Sequence, residues 1–239
     1  MPQKVDKEIN DVVMELRHVF EQAGNASNAA AMRKYMKNHF DYHGIKKPLR
    51  VEIQQPFLAV CSKLNFEQMD PLIRELWQQP EREYQYLAIQ ILDKAKVWKT
   101  KKSIELLEWL LVNKSWWDSV DAIAVKLIGP YMKTFPGKRN LYMNKWRNSD
   151  NMWLQRTTLI FQLKYGEAID KKLLFEIIEQ FSTSKEFFLK KAIGWALREL
   201  SYYDPQEVIE FCNTHTLQAL SVREAYKAMR RTSAASLSK

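Results

Sequence analysis

The sequence predicts an all-α protein, an α-solenoid of HEAT-like helix pairs with a basic concave groove. Three observations support this fold class: apolar residues with helical spacing, a recurrence of about 35 residues, and few turn-forming residues. The chain has 239 residues but only six Gly and eight Pro. All-β sandwiches and barrels need many tight turns, so these classes are disfavoured. No convincing run of alternating apolar and polar residues marks a strand.

The helices are signalled by the spacing of apolar residues and by start signals. Two runs place apolar side chains on one helical face: Leu72, Ile73, Leu76 and Trp77, then Leu106, Leu107, Leu110 and Leu111. Asp70-Pro71 and Asp204-Pro205 each offer a side-chain acceptor at the N-cap and a Pro at the first helical position. Glu207, three residues after Asp204, would complete a capping box.

The recurrence predicts stacked helix pairs. A small residue in the second helix of each pair recurs at intervals of 34, 35, 35 and 33 residues. These small residues are Ala88, Ala122, Thr157, Ala192 and Ala225. A fixed period of this size is typical of an α-solenoid. A tetratricopeptide array has a similar period, but its Trp/Leu-Gly/Tyr signature is missing, so a HEAT-like array is favoured.

Residues just before the small residues form what we call the charged column. Its members are Leu87, Asp121, Arg156, Lys191 and Glu224. Because four of the five are charged, we expect the column to face solvent, with large apolar residues such as Trp117 one turn earlier. Second helices commonly line the concave side of a solenoid, so the pattern predicts a groove with one carboxylate, two cations and aromatic side chains. The alternative is that Trp117 and Trp195 are core residues and the charges a solvated face.

Charge and composition indicate the class of partner. The net charge is +9, and residues 81–239 carry +8 of it. A basic surface attracts polyanions, of which nucleic acid is the commonest. No apolar run is long enough to span a membrane, and the N-terminus lacks an apolar signal core. We therefore expect a cytoplasmic protein with no membrane partner, in which Cys61 and Cys212 are reduced thiols.

Several stretches carry a specific resemblance. They are RKYMKNHF (33–40), GIKKP (44–48), RELW (74–77), PERE (80–83), KSWWDSVD (114–121), SDNMWLQR (149–156), FQLKY (161–165), TSKEFF (183–188) and KAIGWALRE (191–199). In this order, the stretches resemble the bacterial DNA alkylation-repair glycosylases of the AlkD family, over residues from about 30 to 231. The resemblance fits a single HEAT-like repeat domain at 1–231, followed by a disordered tail at 232–239.

The resemblance implies a function and a set of site residues. It implies a monofunctional DNA glycosylase that removes N3- and N7-alkylated purines, such as 3-methyladenine and 7-methylguanine, from double-stranded DNA, and we expect the protein to act as a monomer without cofactor or metal. It implies that Asp121 is the catalytic carboxylate and that Trp117 and Trp195 flank the lesion nucleotide. It also implies that Tyr35, Arg156 and Arg198 contact DNA, and the charged column adds Lys191 as a further phosphate contact. The expected DNA-binding residues are Tyr35, Arg156, Lys191 and Arg198.

The residue types suit this chemistry independently. Alkylation makes the purine cationic, so the glycosidic bond is weak and positive charge develops on the sugar as it breaks. A carboxylate such as Asp121 stabilises that charge and can orient water. Indole faces such as those of Trp117 and Trp195 attract cations by about 0.5–2 kcal/mol. Arg156 and Lys191 would neutralise phosphates along the strand.

Other readings of the sequence remain open. A non-catalytic HEAT-like scaffold that binds nucleic acid or protein would need the same groove. A glycosylase with lyase activity would need an amine, and Lys191 is the candidate in the column. Asp118 could replace Asp121 as the functional acid, although it points about 60° away on a helix. His39 and His43, four apart on a predicted helix, could share a metal but lack a third ligand.

Overall fold

The computed structural model describes residues 2–229, with side chains from residue 11 onwards. Within this range the chain forms fifteen α-helices and no strand, which confirms the all-α class. The predicted tail at 232–239 lies outside the described residues. Among residues 2–229, no helix is both long and apolar enough to cross a membrane. The chain packs as two compact units, unit 1 up to Leu106 and unit 2 from Leu107, where the sequence predicts one domain.

Unit 1 contains six complete helices and a 3₁₀ turn. They are α1 (Pro2–Ala23), α2 (Ala26–Tyr35), α3 (Lys47–Ile53), α4 (Gln55–Cys61), α5 (Phe66–Gln78), α6 (Arg82–Lys94) and the turn Val97–Lys99. Helix α5 packs on α6 and on α1, and its predicted apolar face is buried. Helix α7 (Ser103–Val112) runs across the boundary between the units.

The start of α5 differs from the prediction. Asn65 is the N-cap, and it exchanges hydrogen bonds with Gln68 in a capping box. Asp70 and Pro71 lie inside the helix, where the Asp70 carboxylate accepts a hydrogen bond from Arg74 Nε at 2.6 Å. An Asn with a Gln three residues later satisfies two backbone donors at once, so this earlier start is the better-capped one.

Unit 2 contains the remaining helices. They are α8 (Trp117–Ile123), α9 (Gly129–Thr134), α10 (Pro136–Arg147), α11 (Met152–Ile160), α12 (Lys171–Phe181), α13 (Phe187–Leu200), α14 (Pro205–Thr214) and α15 (Ala219–Ala225). A π-helical segment at Ala124–Ile128 and a 3₁₀ turn at Gly166–Ala168 connect them. The Asp204 N-cap is confirmed, since its carboxylate accepts from the Glu207 backbone N–H.

The second helices of unit 2 stack in chain order. Helix α8 packs on α11, α11 on α13, and α13 on α15. The repeated small residues lie at these contacts: Thr157, Ala192 and Ala225 are fully buried, and Ala122 is half-buried. This is the packing of stacked helix pairs that the 35-residue period predicts.

A π-helical segment follows α8, and the sequence analysis does not predict it. It ends at Gly129-Pro130, and Pro130 has no N–H to continue an α-helical ladder. A Cβ on Gly129 would lie 2.5 Å from the Phe161 carbonyl oxygen, so only glycine permits this approach. The Gly129 carbonyl accepts a hydrogen bond from the Tyr165 hydroxyl at 2.7 Å. The widened turn therefore fixes the C-terminal end of the helical stretch that carries Asp121.

Candidate functional site

Asp121 and Arg156 form the centre of the candidate site. Asp121 lies one turn into α8, and Arg156 reaches it from α11. The guanidinium donates from Nε to Asp121 Oδ1 at 2.7 Å and from Nη2 to Oδ2 at 2.8 Å. Both carboxylate oxygens are thus held in a bidentate, charge-assisted pair. The Asp121 side chain retains 15% of its exposure, against 5% for Arg156, so the carboxylate is the more accessible partner.

The expectation that the charged column faces solvent is wrong for several members. Leu87, Arg156 and Glu224 are buried, while Asp121 and Lys191 are half-buried. The reason is that stacked repeats bring equivalent positions of neighbouring helices within reach of each other, so opposite charges pair instead of being solvated.

Arg156, which the sequence analysis expects to contact phosphate, is buried. Besides its two bonds to Asp121, it donates from Nη1 to the carbonyl oxygen of Phe188 at the start of α13. All three guanidinium nitrogens of Arg156 therefore donate to groups within the protein. Arg156 therefore links the Asp121 carboxylate on α8 to the backbone at the start of α13 and holds the carboxylate in place.

The surroundings move the pKa of Asp121. Burial raises its pKa above the ordinary value of 3.8, and the charge of Asp118 adds to this effect. The hydrogen bonds and charge of Arg156 oppose the shift. A carboxylate with a raised pKa is a better proton acceptor than a solvated one, while the guanidinium favours its ionised form. Asp118 lies in the first turn of α8, where it acts on Asp121 through its charge.

The two expected lesion-flanking indoles are not sealed in the core. Trp117 is the first residue of α8, one turn before Asp121, and Trp195 lies on α13; both are half-buried. Beside them, Trp116, Trp153 and Phe188 form an aromatic cluster with ring centroids 4.9–5.6 Å apart. This cluster joins the N-terminal ends of three stacked helices and supports the backbone around Asp121.

The remaining expected DNA-binding residues fall into two groups. Lys191 and Arg198 share the face of α13 that carries Trp195, and both contact Glu224 on α15, with Lys191 Nζ 2.7 Å from Glu224 Oε1. Tyr35 is the last residue of α2 in unit 1, and the residue is 72% exposed. The sequence analysis gave Glu224 no role, although the order of charges along the column (acid, base, base, acid) signals the two pairs.

The rival sites receive no support from their geometry. His39 lies beyond the end of α2, because Lys37 and Asn38 adopt left-handed backbone conformations with φ of 54° and 59°. The predicted helix through both histidines is therefore wrong. His43 Nε2 is 3.3 Å from the Tyr84 hydroxyl. Among the residues with described side chains, no group of three or more potential metal ligands occurs.

The arrangement suits one kind of chemistry. It presents the Asp121 carboxylate at the edge of solvent, fixed by a guanidinium, with an indole one turn away. Such a preorganised negative charge stabilises positive charge that develops on a bound molecule and can accept a proton from water.

Comparison with known families gives one match over most of the chain. The model of the family described as "DNA alkylation repair enzyme" matches residues 16–229. A search of curated proteins finds no match.

Two solved structures are similar to the chain. One is described as a predicted DNA alkylation repair enzyme from Enterococcus faecalis, with 32% identity and a TM-score of 0.79 over 85% of this chain and 95% of that one. The other is smu.31 from Streptococcus mutans UA159, with 14% identity and a TM-score of 0.56 over 75% of this chain and 94% of that one. At this lower identity, the second likeness concerns the fold alone.

Proposed function

Because the chain belongs to the DNA alkylation repair enzyme family, we propose that it is a monofunctional DNA glycosylase acting on duplex DNA. It would hydrolyse the N-glycosidic bond of N3- and N7-alkylated purines, as a monomer without cofactor or metal. The observation that carries this proposal is the half-buried Asp121 carboxylate, which accepts two hydrogen bonds from Arg156. This carboxylate lies one helical turn from the half-buried indole of Trp117.

Departure of the alkylated nucleobase needs little acid catalysis. In an alkylated purine the ring already carries a positive charge, so the electron pair of the breaking C1′–N bond neutralises it as the base departs. The charge then moves to the sugar, which becomes an oxocarbenium ion. Water adds to C1′ and loses a proton, which leaves an abasic site. Catalysis therefore consists of stabilising the sugar cation and receiving that proton.

Asp121 would perform both tasks. Its ionised carboxylate would lie against the cationic sugar, and its raised pKa would make it a competent acceptor of the proton from water. A fixed charge in a partly dry site is typically worth about 3–4 kcal/mol to a transition state. In this proposal, Arg156 acts as a positioning residue for Asp121 and not as a phosphate ligand.

The aromatic and cationic residues would hold the substrate. Trp117 and Trp195 would flank the lesion nucleotide, with their indole faces toward the cationic purine and sugar. Lys191 and Arg198 would contact phosphates, and Tyr35 would contact the duplex. Half-burial of both indoles supports this assignment, because a ring with an accessible edge can contact a ligand while its remainder packs against the protein.

The decisive experiment is incubation with a duplex containing a single 7-methylguanine, followed by hot alkali to cleave abasic sites. We expect a strand break at the lesion only after alkali and only with the enzyme. The unmethylated duplex of the same sequence is the control.

Two results would contradict the proposal. A break without alkali would indicate lyase chemistry, for which Lys191 is the candidate amine. Tight binding with no abasic site would favour a non-catalytic scaffold.

A further inference from the structure

A second charged cluster, which we call the Glu224 cluster, lies on α13 and α15 of unit 2 and on Lys227, two residues beyond the end of α15. It consists of the Glu224 carboxylate and three cations around it. Lys191 Nζ lies 2.7 Å from Oε1, Lys227 Nζ lies 2.7 Å from both oxygens, and Arg198 Nη1 lies 3.4 Å from Oε2. Sequence analysis assigns no role to Lys227 or Glu224.

The Glu224 cluster carries a surplus of positive charge. Three cations face one carboxylate, so two positive charges are not balanced within it. The ion-paired group around Lys171 has the opposite balance, with one ammonium between the carboxylates of Asp204 and Glu207. A surplus of like charges at close range is unfavourable unless an anion offsets it.

In the Glu224 cluster the carboxylate is buried and the three cations are partly exposed to solvent, as binding of an anion at the surface requires. The Glu224 side chain is only 7% exposed, whereas those of Lys191, Arg198 and Lys227 are 36%, 26% and 43% exposed. An ammonium has three N–H donors and a guanidinium five, so one buried carboxylate cannot use them all. The remaining donors are available to an anion at the surface.

The cluster is built rigidly. A Cβ on Gly194 would lie 2.4 Å from Glu224 Cβ and 2.7 Å from the Ser221 carbonyl oxygen, so the absence of a side chain lets α15 approach α13 closely. The Ser221 hydroxyl also donates to the Lys190 carbonyl at 3.0 Å. Glu224 is therefore held in place, and it fixes the positions of three long cationic side chains before any ligand binds.

The anion class follows from what surrounds the cluster. Lys191, Trp195 and Arg198 share one face of α13, at positions i, i+4 and i+7. At about 1.5 Å per residue, that face extends within about 15 Å of Phe188, where Arg156 meets the same helix. A duplex whose lesion lay at Asp121 would bring phosphodiesters within this range. A cluster of fixed cations with no sequence-reading group suits a phosphodiester backbone.

We propose that the Glu224 cluster is a preformed binding site for a DNA backbone phosphate, in which Lys227 contacts the phosphate and Glu224 is a positioning residue. The inference rests on the proposed function, since it takes DNA as the ligand. It extends the expected contacts of Lys191 and Arg198 to α15 and explains the buried acid beneath them.

The test is a salt titration of binding to an unmodified duplex, followed by fluorescence anisotropy. For Lys227→Gln, we expect the slope of log K against log salt concentration to become shallower by about 0.9, with about eightfold weaker binding at 0.1 M salt. Lys227→Arg should restore both values. Lys172→Gln removes the same charge from an exposed position on α12 and should leave the slope nearly unchanged.

Glu224→Gln separates positioning from simple charge. Removal of an acid alone would tighten DNA binding, whereas loss of the residue that positions Lys191, Arg198 and Lys227 should weaken it. We therefore expect Glu224→Gln to bind DNA more weakly than the wild type at low salt, and tighter binding would overturn the positioning role of Glu224. Equal slopes for wild type and Lys227→Gln would overturn the inference, and abasic-site formation at 7-methylguanine by both proteins would then show that the proposed function stands. If the wild type binds no duplex at all, both the proposed function and the proposed phosphate-binding site are wrong.

Discussion

Asp121 on α8 and Glu224 on α15 occupy the same position of the repeat, three repeats apart in unit 2. Each carboxylate pairs with a cation from the neighbouring second helix, Arg156 for Asp121 and Lys191 for Glu224. Their pKa values nevertheless move in opposite directions. Burial raises the pKa of Asp121 above 3.8, whereas two ammonium groups outweigh burial and lower the pKa of Glu224 to about 2.

The number and kind of cations explain the difference. Asp121 has one buried guanidinium, which is itself shared with the Phe188 carbonyl, and a second acid nearby in Asp118. Glu224 has three cations and no acid among the causes of its shift. The same repeat position thus supports a carboxylate that can accept a proton at one end, and a permanently ionised structural anion at the other.

The largest expected effect separates these two acids. Asp121→Asn keeps the shape and removes the charge that would stabilise the sugar cation, so we expect base release from 7-methylguanine to slow about 10²–10³-fold. Glu224→Gln is the matched change at the equivalent position and should alter the single-turnover rate by less than about threefold. The measurement is single-turnover abasic-site formation at saturating enzyme, with duplex affinity measured separately.

Equal losses in both variants would break the comparison. A slow Asp121→Asn that also binds DNA poorly would assign Asp121 to binding instead of chemistry. A loss confined to the rate would sharpen the distinction between the reactive and the structural carboxylate.

The next largest effect concerns the bidentate ion pair between Arg156 and Asp121. Arg156→Met leaves the carboxylate half-buried without its partner, so the pKa of Asp121 should rise further and the free energy of unfolding should fall by up to about 3–5 kcal/mol. If Asp121 is the catalytic carboxylate, activity requires its ionised form and falls as the pH drops through its pKa. The acidic limb of the pH–rate profile should therefore begin at a higher pH in the variant than in the wild type.

Duplex affinity distinguishes the two roles considered for Arg156. As a positioning residue, it should change the pH profile and the rate while the salt dependence of DNA binding stays the same. If Arg156→Met lowers the salt slope by about one and leaves the pH profile in place, Arg156 is a phosphate ligand after all.

Much of the fold could be predicted because helical periodicity is a local signal. The apolar faces of α5 and α7 and the Asp204 N-cap follow directly from residue spacing. The start of α5 was misplaced because Asp70-Pro71 and Asn65 both fit an N-cap, and only the reciprocal Gln68 bond decides between them. The π-helical segment at Ala124–Ile128 was missed because it depends on how closely Gly129 approaches Phe161, a contact between distant parts of the sequence.

Sequence spacing placed the candidate site residues on their helices but did not predict the electrostatics around them. Spacing along one helix correctly put Trp117 and Asp121 on α8, and the repeat aligned Arg156 and Glu224 with Asp121. A charged column reads as a solvated face when each helix is considered alone. Stacking changes that reading, because the side chains of one column face each other across helices, and burial of Arg156 follows from pairing rather than from its polarity.

The smallest expected effect is the acid dependence of stability, and its sign differs between the two carboxylates. Since the pKa of Glu224 falls from 4.5 to about 2 on folding, its contribution is fully present above pH 4.5 and is lost as the pH falls toward 2. Glu224→Gln should thus lower the free energy of unfolding by roughly 1–3 kcal/mol near pH 6, with the deficit shrinking in acid. Asp121, with a raised pKa, contributes in the opposite sense, favouring the fold below pH 3.8.

Urea unfolding between pH 3 and 6 measures this difference, with Glu176→Gln on the exposed face of α12 as the control. The control removes the same charge away from the Glu224 cluster and should show no such pH trend. A Glu224→Gln deficit that stays constant with pH would mean that the three surrounding cations do not stabilise the ionised acid. The contrast with Asp121 would then disappear, because burial raises the pKa of both acids and the surrounding cations would leave the ionisation of Glu224 unaffected.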